Sequence, residues 1–373
     1  MKFIVSSTAL SQRMQVLGRV ISGKNALPIQ SCFLFCIENG TLTLTASDSE
    51  VEMTAVLELV ETECDIRFAV NAKTVMDAIK EIPEQPLAFY VKENLEITVE
   101  YQNGRYNFVG KSADEYPVTP AIGEGVTTLT LSCATLTSGI GRALFATADD
   151  TYRMMLNGIY FDILPETLAM VASDGQKLAC CKTRNVRIEG EGSFILPKKP
   201  AALLRNALAK EEGEAVIAFN ERNASVTTEN YRLTCRLIEG RYPNYNSVIP
   251  QNNPNIATID RAALISAIRR VLVFSNATTV LIKLQFAAGR LTLSTQDIDY
   301  ATSAEESLLC DYTGNPLSIG FKGTFLTELL NNIESDEVMI KLADASRAGI
   351  IVPAEQESDE DILMLLMPMI LND

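Results

Sequence analysis

One pattern of residues recurs three times along this chain at intervals of about 125. An internal repeat of that size fixes the architecture before any other feature does. The first copy runs through Leu10, Arg13, Leu17, Val20 and Ile21, then the apolar Phe33-Leu34-Phe35, then the alternating stretch from Gly40 to Asp48. The second has Leu136, Ile140, Arg142 and Leu144, then Gly158 to Phe161, then Leu168 to Asp174. The third has Leu264, Ile268 and Val271, then Leu281 to Leu284, then Gly289 to Asp297. A second half of the same kind follows in each copy. It enters a helix at Lys73, at Lys198-Lys199 and at Lys322, with Ala78/Ile82, Leu204/Leu208 and Leu329/Ile333 at the spacing of a buried helical stripe.

Alternating strands close each copy: Leu95 to Val99, Ala224 to Thr227 and Val338 to Leu342. The copies end at Tyr116-Pro117, Tyr242-Pro243 and Met367-Pro368. Two helix-then-strands units per copy predict an α+β protein of six helices on largely antiparallel sheets. Pro, Gly and Asn cluster at 120–126 and 250–256, so the expected domains are 1–121, 126–250 and 255–373. Three domains also suit a chain of 373 residues, too long for one core.

Composition excludes most catalytic frameworks. The chain has no histidine, and its eight cysteines are scattered without a Cys-x-x-Cys pair, so the common zinc sites and histidine acid–base chemistry are ruled out. No catalytic residue, metal or cofactor is expected. The cysteines read as reduced thiols. No stretch approaches the roughly 20 apolar residues of a membrane span, and Met1 to Ser6 leads directly into strand-like alternation without an export segment. A soluble cytoplasmic protein with no membrane partner is expected.

Net charge is −15, yet its distribution is uneven. The windows 8–21, 73–82, 133–146, 198–210, 260–275 and 322–333 hold 13 basic residues against 4 acidic ones, and the remainder holds 19 against 43. Exposed helix faces carry lysine and arginine in any protein, but ordinarily glutamate with them. The scarcity of glutamate favours helices that face a polyanion, with an acidic exterior turned away. No Gly-rich phosphate loop or recognition-helix motif is present, so backbone contact without sequence preference is the expected mode.

The segments Asn25 to Ile29, Arg153 to Gly158, Ala172 to Ala179, Gly240 to Tyr245 and Met367 to Met369 occur in an order and spacing that make the whole chain resemble the bacterial replicative sliding clamps, the beta subunits of DNA polymerase III. The resemblance implies a homodimeric ring of three clamp domains per subunit, helices inside and sheets outside, encircling duplex DNA as a processivity factor. It implies a peptide-binding groove between the second and third domains for the polymerase alpha subunit, the clamp loader, repair polymerases, mismatch-repair proteins and ligase. Carried over residue by residue, that groove comprises Arg153, Leu156, Ser173, Gly175, Lys177, Leu178, Pro243, Val248, Leu365, Met367, Pro368 and Met369. Methionines and leucines suit the task because they adapt to several apolar partners. On residue type alone, Leu156, Leu178 and Met367 are equally well core residues.

Lys24 and Lys73 match basic DNA-contacting positions, and Arg19, Lys198, Lys199 and Arg205 join them as DNA-facing candidates. The dimer is expected to close the first domain of one subunit on the third of the other, through Phe108 against Val273 and Phe274. Departures from the family are Gln176-Lys177 in place of His-Arg, Asp150 where a glutamine can touch DNA, Met154-Met155 in place of an aromatic pair, and an Asn372-Asp373 extension. Rival readings are a scaffold without a DNA role, or a Mg²⁺ enzyme using Asp48 and Asp174, which occupy equivalent strand-end turns.

Overall fold

The computed structural model describes residues 1–21, 27–63, 65–117, 122–123 and 125–371. Lys24, the Asn25-Ala26 start of one family segment and the Asn372-Asp373 extension therefore lie outside the described residues, as do 118–121 and 124 at the first expected boundary.

Six α-helices occur among the described residues: α1 Ser7–Leu17, α2 Ala72–Ile79, α3 Cys133–Leu144, α4 Lys198–Leu208, α5 Arg261–Leu272 and α6 Gly323–Asn331. Each begins where a strand ends. At four of the six the switch is made by a polar side chain that accepts a free N–H of the first turn: Ser6 from Ala9, Asn71 from Thr74, Ser132 from Thr135 and Asp260 from Ala263. Arg269 and Arg270 in the last turn of α5 complement its dipole. Apolar stripes turn inward, as with Leu10, Met14 and Leu17 on α1 and Leu264, Ile268 and Val271 on α5. The expected stripe on α2 is corrected: Ala72, Val75 and Ile79 are the buried residues, and Ile82 lies beyond the helix end. Likewise α5 stops at Leu272, leaving Val273 and Phe274 in the turn that follows.

The chain divides into two compact units, and these cut across the repeats. Unit 1 comprises 1–137, 187–190 and 199–237; unit 2 comprises 138–186, 191–198 and 238–373. Unit 1 contains a nine-stranded antiparallel sheet in which five strands of the second repeat continue into four of the first. They meet where Tyr231–Arg236 pairs with Val51–Glu58, Leu233 opposite Met53. A separate five-stranded sheet of unit 1 ends in the edge strand Gly104–Val109. Unit 2 contains a nine-stranded sheet in which four strands of the second repeat meet five of the third. Here Lys177–Thr183 pairs with Glu360–Leu366, Ala179 opposite Met364. A four-stranded sheet of unit 2 ends in the edge strand Thr302–Leu309.

Arginines of first helices brace both junctions. In unit 1, Arg13 of α1 donates to the Tyr231 hydroxyl at 2.8 Å, lies 4.7 Å from that ring's centre, and sits 3.5 Å from Glu211. In unit 2, Arg142 of α3 bridges Glu360 at 2.8 Å and Glu334 at 3.2 Å. Both guanidiniums are largely shielded, so removing one partner would leave a charge buried without its counterion, which costs more than losing an exposed pair, worth at most about 1 kcal/mol.

Candidate functional site

In unit 2 the junction of the second and third repeats carries an apolar cluster. Leu156, Leu178 and Leu365 are buried there, together with Val171, Cys180, Ile195, Tyr242, Tyr245 and Ala348. Strand pairing accounts for the meeting of Leu178 and Leu365, which lie directly opposite each other. Tyr160 stacks on Tyr242 with ring centres 4.7 Å apart, and the Tyr245 hydroxyl donates to Asp162 at 2.9 Å. Burial pushes the Cys180 thiol up to about 12 and raises both tyrosines above their ordinary range. None of these groups ionises near neutral pH, so the cluster offers surface rather than chemistry.

Around this buried floor stand exposed apolar side chains: Val248 at 55% exposure on the turn Tyr245–Val248, and Met367 at 44%. Pro243 is exposed beside buried Tyr242, and Pro368 and Met369 are half-buried. An apolar floor with exposed apolar rims is what a docked side chain needs.

One wall is the turn from Ser173 to Lys177. Asp174 Oδ1 accepts the N–H groups of Gln176 and Lys177, Gly175 N–H donates to Ser173 Oγ, and Ser173 Oγ donates to Lys177 O. Gly175 is at φ +90°, a conformation that favours glycine, and a Cβ there would also come within 3.1 Å of Arg153 Nη1, so that guanidinium would have to shift. Met367 N–H donates to Gln176 O at 2.8 Å, tying the tail to this turn.

Arg153 is placed by Asp150, whose carboxylate accepts its backbone N–H and its Nε, both at 2.9 Å. The N–H groups of Arg153 and Tyr152, and then the guanidinium, hold Asp150 below the usual carboxylate range. Asp150, flagged as a departure at a DNA-contact position, is thus engaged in orienting the groove arginine. Met155 packs on the cluster and Met154 is exposed.

Lys177 departs from its expected place on the groove rim. Alternation along its strand sends Leu178 to the cluster and Lys177 to the opposite face, where it is 6% exposed. Its Nζ lies 2.5 Å from Glu328 of α6, 3.7 Å from Asp174 and 4.2 Å from the centre of the Phe325 ring. Tyr242, Tyr245 and Tyr160 were not foreseen as groove residues. The signal for Tyr242 was its place at the end of a repeat, where Tyr116 stands in the first.

The charged candidates divide. Lys73, Arg19 and Arg205 are exposed and make no ion pair among the described residues. Lys198 pairs with Asp149 at 2.7 Å. Lys199 Nζ is held by Asp48 at 2.5 Å and by Val20 O at 2.7 Å, and so braces unit 1. Asp48, Asp174 and Asp297 each close a turn by accepting backbone N–H groups, which accounts for the aspartates that a Mg²⁺ enzyme would have claimed. Phe108 is half-buried on its edge strand in unit 1. In unit 2, Val273 is 77% and Phe274 43% exposed.

Comparison with known proteins covers nearly the whole chain. Family models for the DNA polymerase III beta subunit match in order: the N-terminal domain over residues 1–120, the central domain over 130–244 and the C-terminal domain over 246–370. The beta sliding clamp of Pseudomonas putida is 28% identical over 370 residues, 99% of this chain and 100% of that one. That of Escherichia coli is 26% identical over 369, again 99% and 100%. Among solved structures, a sliding clamp (DNA polymerase III subunit beta) from Pseudomonas aeruginosa bound to griselimycin superimposes with a TM-score of 0.93 at 27% identity, covering both chains completely. One from Bartonella birtlesii, also bound to griselimycin, gives 0.91 at 27%, again with complete coverage of both.

Proposed function

The chain belongs to the DNA polymerase III beta subunit family, the non-catalytic sliding clamps of bacterial replication, and from that premise we propose that two copies close into a ring that holds duplex DNA by topology and docks its clients through the unit 2 groove. Its three clamp domains are 1–121, 126–250 and 255–373, a division supported by the repeat spacing. The ring works in the cytoplasm, and no helix among the described residues is long and apolar enough to cross a membrane.

The observation that carries the ring is the sheet count. Both junctions within the chain join a five-stranded set to a four-stranded one, and the strands left over are five in unit 1 and four in unit 2. Pairing the edge Gly104–Val109 of one copy with Thr302–Leu309 of another makes a third nine-stranded sheet and covers both open edges. Transferring the register of the two internal junctions sets Ala304 opposite Tyr106 of the partner subunit and Glu305 opposite the partner's Arg105. Thr302 then faces the partner's Phe108, and Thr302 Oγ1 already donates to Phe274 O at 3.4 Å. This supports Phe108, Val273 and Phe274 as the apolar seam, with a charge pair beside it.

Lys73 and Arg205 on helices and Arg19 just past the end of α1 supply a basic lining, with Lys24 in the same role. Such contacts attract a duplex without reading its sequence, and their affinity falls with salt by a slope of roughly −0.9 per phosphate neutralised. Residues Leu156, Leu178, Leu365, Val248 and Met367 receive the apolar side chains of a linear motif from the polymerase alpha subunit, the clamp loader and repair enzymes, in the manner of groove-docked peptides. Retention after a high-salt wash tests the topological claim. Clamp loaded on closed circular DNA should stay, and linearising the same circle should release it. Equal loss from both forms would leave only ordinary electrostatic binding.

A further inference from the structure

We infer that Lys177 is a positioning residue for the peptide groove, acting from behind the sheet on the wall that the peptide touches. The inference rests on the groove reading above and adds to it what holds the groove in shape. Three observations carry it. First, Lys177 cannot reach a ligand on the cluster side, because its neighbour Leu178 occupies that face and its own side chain is buried on the other. Second, its ammonium is gripped by groups from two directions: Glu328 and the Phe325 ring on α6, and Asp174 of the groove turn itself. Third, that turn holds both walls, since Asp174 Oδ1 fixes Gln176 and Lys177 while Gln176 O receives Met367 N–H. A single buried cation therefore ties the Ser173–Lys177 turn, and through it the Met367 tail, to one helix. Lys322 Nζ lies 4.4 Å from the centre of the same Phe325 ring, so the tether ends on a ring that already carries a second cation.

A charge buried against a carboxylate and a ring fixes geometry more strongly than a solvated pair, because leaving it unpaired is costly. Removing it frees the turn to shift, and small shifts in a preorganised site reduce affinity without touching any contact residue. A role confined to general stability would lower the unfolding midpoint and leave the affinity of the folded dimer unchanged.

The test measures binding of a fluorescent synthetic peptide from the polymerase III alpha subunit to the full dimer, well below its unfolding temperature. Lys177→Met should weaken binding about tenfold, and Lys177→Arg should recover most of that loss. Glu328→Gln, a change on a half-exposed residue of α6 away from the cluster, should weaken binding severalfold, and the double variant should be no weaker than Lys177→Met alone. Should Lys177→Met not fold, the Glu328→Gln measurement decides by itself. Wild-type affinity in Glu328→Gln and Lys177→Met, with binding lost in Met367→Asp, would overturn the tether and keep the groove. Wild-type affinity in Met367→Asp as well would overturn the groove reading, and the tether with it.

Discussion

The same position in two repeats is a small buried cluster in unit 1 and a larger one, reaching into the next repeat, in unit 2. In the first repeat Ile29, Cys32, Leu34, Ala69, Ala113 and Tyr116 form a small buried group. In the second, the matching set around Tyr160, Ile195 and Tyr242 is larger and includes Leu365 and Ala348 from the third repeat. Pairing shows the equivalence: Leu34 lies between Thr45 and Ala69 as Tyr160 lies between Val171 and Ile195. The neighbouring strand makes the difference. Unit 2 places Leu365 and Leu363 beside Leu178 and Cys180, whereas unit 1 places Thr234 and Arg232 beside Glu52 and Thr54. The third repeat departs again. Lys283, Ser294, Ser303 and Glu305 stand at the matching positions and, with Leu281, Ile298 and Leu371, line a cavity of mixed polar and apolar character of about 650 Å³. The proposed peptide groove would therefore not be a property of the repeat fold; it would depend on a handful of apolar residues at one junction.

The largest expected effect breaks that comparison at its apolar member. Met367→Asp or Val248→Asp places a carboxylate at the mouth of the unit 2 cluster, on residues exposed enough for the fold to tolerate it. Affinity for an alpha-subunit peptide should fall more than about 100-fold, since desolvating an unpaired charge costs several kcal/mol. Calorimetric titration of the unmodified protein should count one peptide per subunit. A count of two would mean that the third-repeat cavity or the unit 1 cluster also binds, and the contrast drawn between them would fail.

A second prediction sharpens the comparison at the junctions. Within each unit the joining strands are covalently part of one chain, while the proposed seam between copies would depend on contact alone. Glu305→Arg should raise the dimer dissociation constant by about 100-fold, because it sets like charges opposite each other. Combining it with Arg105→Glu should restore most of the affinity. Phe274→Arg, at the apolar part of the seam, should yield monomers at micromolar concentration. Sedimentation at several concentrations checks all three, and a failure of the charge swap to recover would mean that the transferred register is wrong.

How much of this was legible beforehand follows from the range of the signals. Repeats, helix starts and turn-closing aspartates are local patterns, and Asp48, Asp174 and Asp297 stand where their spacing predicts. Helix ends were read too long, since nothing polar or glycine-like marks the stop at Leu272 before Val273 and Phe274. The joining of sheets across repeat boundaries was not legible, because pairing Leu233 with Met53 is a long-range choice that no local periodicity records. Lys177 was misplaced for a different reason. The period-two rule that sends it away from Leu178 was available in the sequence, but a position carried over from the family resemblance overrode it.

The smallest effect tests the comparison at a matching position where both repeats keep the same residue, the tyrosine near the end of each repeat. The Tyr116 hydroxyl makes two long hydrogen bonds, to Cys32 O and Thr45 O, both at 3.4 Å. The Tyr242 hydroxyl is buried near the Ser173 backbone without achieving hydrogen-bond geometry to any partner among the described residues. Burial raises both phenols, so each is neutral throughout the pH range of a stability measurement and ionisation does not enter. Tyr116→Phe should therefore cost about 0.5–1 kcal/mol, the usual net worth of an internal hydrogen bond. Tyr242→Phe removes a polar atom that has nothing to bond, and should be neutral or stabilising by up to about 1 kcal/mol. Because the chain has two compact units, denaturation should be followed by probes placed in each, and a single fitted midpoint would mix them. Opposite signs for the two substitutions would establish that the second cluster is the less satisfied, ready to trade its own packing for a ligand's. Equal costs would mean that both tyrosines are bonded alike, and that the difference between the clusters lies wholly in the neighbouring strand.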